Sequence, residues 1–212
     1  MALPRFTEGV QPNSQAPPMR YFDPRLVGAL ECETWVSYYR HEWWAFLKAA
    51  VRVVRHAFGL SRARTALGAW WVLRANQVWA PFPDNDPEAA RQFMRKFYAL
   101  VARTHRENFD VTEAARLEVE WWRLHRGVQR GEKPPTPEAV EELIQALQRL
   151  YAHTYRVDPA EVRLAAEQRA EAMRLSDEWV RDGHHRGSPL VAEERAALVR
   201  SYAALLAAVH TA

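Results

Sequence analysis

The chain has one cysteine, Cys32. That excludes an intramolecular disulfide framework and any multi-cysteine zinc or iron–sulfur site. Long apolar runs are missing as well. The two most apolar windows, 63–80 and 198–209, are broken by Arg74, Asn76, Gln77, Arg200 and Ser201, so no segment qualifies as a membrane span. The first twenty residues carry four prolines and no continuous apolar stretch, unlike either a signal peptide or a transit helix. A cytoplasmic protein is the expectation from these absences.

Lysine is limited to Lys48, Lys96 and Lys133, isoleucine to Ile144, and arginine supplies 26 of the 29 basic residues. This pattern reads as coding bias in a GC-rich genome. Arginine abundance and a formal charge of +3 are therefore weak pointers to an anionic partner. No Gly-rich phosphate loop, nucleophile elbow, zinc-protease helix, dinucleotide fingerprint, helix-turn-helix spacing or RNA-binding signature is present. Glu-x-x-His is also absent, which removes the paired ligands of ferritin-like di-iron bundles. No metal ion is expected, and the identity of any cofactor is left open.

What the chain does have is enough apolar material for a core, 48% of 212 residues, and clear helix punctuation. Asp23-Pro24, Asp86-Pro87, Thr136-Pro137, Asp158-Pro159 and Ser188-Pro189 each join a capping side chain to a proline. The oxygen accepts an orphan N–H of the first turn, and proline at the first helical position loses nothing by lacking one. Ser61 and Asp110, the latter followed by Glu113, mark two further starts. Gly59, Pro81, Gly131 and Gly183 mark stops. The sequence thus predicts an all-α protein of about seven helices. An aromatic-rich four-helix part (23–131) packs against a three-helix part (136–212), the boundary residues being Gly131 to Thr136, and an extended arm (1–22) precedes both.

The first predicted helix runs from about Pro24 to Phe58, with an apolar stripe of Cys32, Val36, Tyr39, Trp43, Phe46, Leu47, Ala50 and Val54. The second, from Arg62 to Trp79, is apolar over most of its circumference and is expected to be the most enclosed element. Trp44 and Trp122 lie off their helices' main stripes, and each needs another surface to cover it.

Four side chains are candidate catalytic groups. Glu118 and His125 are seven residues apart and project from the same side of one helix. Glu42 and His105 flank apolar stripes on two others, so the four converge if those helices pack together. The alternative is that they hydrogen-bond across helix interfaces. Asn76, Gln77 and Trp122 are candidate ligand-binding residues. Arg52, Arg55, Arg62 and Arg64 form a basic stripe able to meet phosphates. Three functions follow. The leading one is an interaction or scaffold protein that binds a protein partner or a second copy of itself. The others are a small-molecule- or metal-binding helical enzyme with its site in the first four helices, and binding of nucleic-acid phosphates through the arginine-rich face.

Overall fold

A computed structural model describes residues 18–130 and 136–211. Among them are a short 3-10 turn (Pro18–Arg20), eight α-helices and no strand. The helices are α1 (Pro24–Tyr39), α2 (Trp43–Phe58), α3 (Arg62–Trp79), α4 (Pro87–His105), α5 (Val111–Gln129), α6 (Pro137–Tyr155), α7 (Arg163–Arg181) and α8 (Pro189–Thr211). None is long and apolar enough to cross a membrane. Residues 1–17 of the predicted arm (1–22) and 131–135 of the predicted boundary (131–136) lie outside the described residues.

Five of the capping residues act as the sequence suggests. Asp23, Asp86, Asp110, Thr136 and Ser188 each accept a backbone N–H of the turn they precede, whereas Ser61 precedes α3 without a side-chain cap bond. Asp158-Pro159 does not open a helix directly. Asp158 Oδ1 accepts the Ala160 N–H, its carbonyl accepts the Glu161 N–H, and the chain makes a turn before α7 starts at Arg163.

The count rises from seven to eight because 24–58 is two helices. A continuous helix of that length would extend about 50 Å and carry half its stripe past the core. Instead the chain reverses at Arg40–Glu42, with His41 in the left-handed region (φ 58°) and the Glu42 N–H bonded to the Ser37 carbonyl. Neither glycine nor proline marks the break. A clasp to the α7–α8 loop holds it. Arg40 donates to the His184 carbonyl at 2.9 Å, and Arg186 reaches both Glu42 and Glu33.

Each helix packs on the next in sequence, and α8 returns to pack on α1, so the order of contacts closes on itself. Met19 is fully buried and Phe22 meets the edge of Tyr202, which fastens the start of the described chain to the body. The largest apolar cluster draws on α2 to α8, around Met94, Phe97, Val101, Leu117 and Val119. A second joins Cys32 and Val36 to Trp179 and Leu198, and a third joins Leu124, Leu147 and Met173. Trp35, Trp121 and Tyr151 each pack against two of these clusters.

Closure depends on a close approach of α1 to α8. A Cβ on Gly28 would sit 2.8 Å from the backbone nitrogen of Val199. Backbone cannot swing aside as a side chain can, so Gly28→Ala should destabilise the protein by about 1–3 kcal/mol. Urea denaturation measures this; unchanged stability would mean that α8 shifts without cost.

Candidate functional site

The four acid–base candidates do not share one site. Glu42 lies in the α1–α2 turn, where hydrogen bonds from Arg186 and then Arg40 lower its pKa to about 2. His105, at the end of α4, is buried, and its ring nitrogen donates to the Phe58 carbonyl at the end of α2 (2.7 Å). Burial lowers its pKa and favours the neutral ring.

Glu118 is held inside the fold between α4 and α5. It accepts the Tyr98 hydroxyl at 2.7 Å and the Trp122 indole N–H at 3.1 Å. Burial raises its pKa, and those two donors offset only part of that. His125 Nε2 lies 3.2 Å from Asp177 Oδ2 on α7. Gln129, one turn further along α5, donates to Asp177 Oδ1 (2.8 Å) and to the Tyr39 hydroxyl (2.6 Å). Each candidate thus joins two parts of the fold, and no group of three metal-ligating side chains gathers among the described residues.

Asn76 and Gln77 are exposed and bond locally, Asn76 to the Val72 carbonyl and Gln77 to Arg74. Trp122 does not need an outside surface. It is only 8% exposed and packs against Trp79.

Three charged residues that sequence reasoning passed over occupy the interior. Arg169 of α7 makes a two-pronged contact with Glu31 of α1, at 2.5 and 3.0 Å, and Tyr202 of α8 donates to the same carboxylate at 2.6 Å. The guanidinium lies 5.8 Å from the Trp35 ring and 5.4 Å from the Trp121 ring. Glu194 is fully buried on α8, and neither of its oxygens has a hydrogen-bond partner. Each could have been found as a charge inside an apolar stripe. Glu31 falls midway between Val27 and Trp35, Arg169 between Ala165 and Met173, and Glu194 between Val191 and Leu198.

The outer surface is unusual along α2 and α3. α2 buries only Ala49, Val54 and Ala57, although its apolar stripe is strong. Trp43, Leu47 and Val51 are exposed, as is Trp44 at 75%. The expectation that 62–79 would be the most enclosed helix is overturned. α3 buries only Thr65, Gly68, Ala75 and Trp79. Leu67 and Trp70 are exposed, the latter at 51%, because the fold packs α3 mainly against α4. Arg52, Arg55, Arg62 and Arg64 are exposed on the same two helices.

No protein-family model matches this chain, no curated protein matches its sequence, and no solved structure matches its fold.

Two predictions concern the interior. Removing one member of the Glu31–Arg169 pair leaves a charge without its partner, so Arg169→Met or Glu31→Leu alone should cost about 3–5 kcal/mol, whereas the double variant should recover much of that. Additive losses in a denaturation cycle would show that the two charges do not support each other. At Glu194, burial pushes the carboxyl up to about 8 against 4.5 in the unfolded chain, opposed in part by Cys32, Ser176 and Arg195 and reinforced by Glu31. Between those values the folded state holds a proton that the unfolded state releases, so stability falls as pH rises from about 5 to 8. Glu194→Gln should flatten this slope of melting temperature against pH; parallel profiles would assign the slope to other groups.

Proposed function

We propose that the protein is a helical interaction module and that the outward face of α2 and α3 is its docking surface. The observation that carries this reading is the exposure of Trp43, Trp44, Leu47, Val51, Leu67 and Trp70 on two consecutive helices. Exposed apolar residues scattered singly need no explanation, whereas a run of this kind marks a surface that something else covers. The polar candidates favour the same reading. Glu118, His125 and His105 are each engaged by neighbouring helices or their ends, which suits groups that fasten helices together.

A second reading, contact with nucleic-acid phosphates, is favoured by one observation. Among the described residues, Arg52, Arg55, Arg62 and Arg64 have no carboxylate within salt-bridge distance. Their guanidinium groups are open to an anion.

The docking reading is tested by Trp44→Ser, Leu47→Ser and Trp70→Ser combined in the full-length protein. Substitutions on an exposed face should move stability by no more than about 0.5 kcal/mol each, while binding of a neutral apolar dye and concentration-dependent attraction in light scattering should both fall. Losses of about 2–5 kcal/mol per site, as in a core, would show that the face belongs to the fold. Unchanged dye binding and scattering would equally overturn the reading.

A further inference from the structure

The charge around this face narrows what covers it. From Trp43 to Pro83 there are six basic residues and no acidic one, so this segment carries +6 while the rest of the chain carries −3. Elsewhere several helix arginines are neutralised locally. Arg91, Arg116, Arg123 and Arg174 each bond a glutamate three residues away, and Arg163 bonds Glu167 and Glu141. On α2 and α3, Lys48, Arg52, Arg55, Arg62 and Arg64 have no such partner among the described residues. The apolar residues of α2 are also ordered. At about 100° per residue, the exposed Trp43, Leu47, Val51 and Trp44 fall in a sector of about 100°, which the buried Val54 shares toward the end of the helix, and Arg55, Lys48 and Arg52 fill the next 80° or so.

We propose that α2 and α3 dock on an anionic lipid surface, an inference that rests on the docking reading above. Tryptophan and aliphatic side chains enter the boundary between headgroups and acyl chains, and the adjoining basic strip meets lipid phosphates. Three other occupants fit less well. A second copy meeting the same face would set one +6 segment against another. A nucleic acid would use the basic strip and stack on the tryptophans, but it gives Leu47, Val51 and Leu67 nothing to bury against. A protein partner seats its anchors in pockets. One cleft of about 350 Å³ lies elsewhere, beside Arg91 and Arg116; another of about 370 Å³ touches the end of α2 through Arg55 and His56, but neither is lined by Trp43, Trp44, Leu47, Leu67 or Trp70. A bilayer needs no pocket.

The test is flotation of the full-length protein with vesicles of phosphatidylcholine containing about 30% phosphatidylglycerol, at about 50 mM salt. The protein should float with these vesicles and bind at least about tenfold more weakly to pure phosphatidylcholine. Leu47→Glu, and separately Arg52→Gln with Arg55→Gln, should each reduce binding by about tenfold with an unchanged helical circular-dichroism spectrum. Failure to float with anionic vesicles overturns the inference, as does flotation that neither variant alters. A wild-type dimer that Leu47→Glu dissociates would also overturn it, in favour of a second copy, and would leave the docking reading standing. Oligonucleotide binding that survives Leu47→Glu but is lost in the arginine variant, without flotation, would assign the strip to nucleic acid instead.

Discussion

Between α1 and α7 a guanidinium and a carboxylate are held largely out of water, and the arrangement of the helices follows from keeping them together. Arg169 and Glu31 meet through two hydrogen bonds, and Tyr202 supplies a third donor from α8. Trp35 and Trp121, which flank the guanidinium, also pack on two apolar clusters each. The pair therefore sits where the separate clusters adjoin. Burying two charges is costly unless their geometry is closely satisfied, so the contact tolerates little sliding of α1 along α7. Apolar contacts alone do not impose that. Alanine-rich faces such as those of α7 and α8 pack nearly as well after a small shift, but a bidentate ion pair does not survive one.

The remaining interior polar groups extend the same principle around the closed order of helices. Glu118 links α5 to α4 through Tyr98. Asp177 links α7 to α5 through His125 and Gln129, and Gln129 continues to Tyr39 of α1. His105 joins the end of α4 to the end of α2. Glu194 differs, since its carboxyl is enclosed without a hydrogen-bond partner. A protonated carboxyl in that position costs less than an ionised one, which is why its ionisation is displaced toward about 8.

How far the sequence discloses this depends on the range of the interaction involved. Capping is local, and Asp23, Asp86, Asp110 and Thr136 mark their helices because the groups they bond lie two or three residues away. The turn at Arg40–Glu42 is not local. It carries no glycine or proline, and its partners Arg186 and His184 lie 144 residues along the chain. Glu118 and His125 could be picked out as polar residues beside an apolar stripe, but their partners are on other helices. Glu31 and Arg169 were visible as charges within apolar stripes, although nothing in periodicity pairs two residues 138 apart. α3 shows the opposite failure. An apolar circumference ordinarily indicates an enclosed helix, yet here it accompanies a helix covered on one side.

Coding bias bears differently on the arginines and on the missing acids of α2 and α3. A GC-rich genome explains why arginine replaces lysine throughout the chain, and by itself would spread arginine evenly. It does not explain why glutamate accompanies arginine on α4, α5 and α7 and is absent for the whole of 43–83. Glutamate is a good helix former, and on an exposed helix each Glu–Arg pair three or four residues apart adds a little stability. Omitting it from two consecutive helices that also expose tryptophan and leucine gives up that support, and leaves positive charge beside apolar surface where neither helps the isolated fold. A surface shaped this way is accounted for by an anionic and apolar counterpart more directly than by the needs of folding.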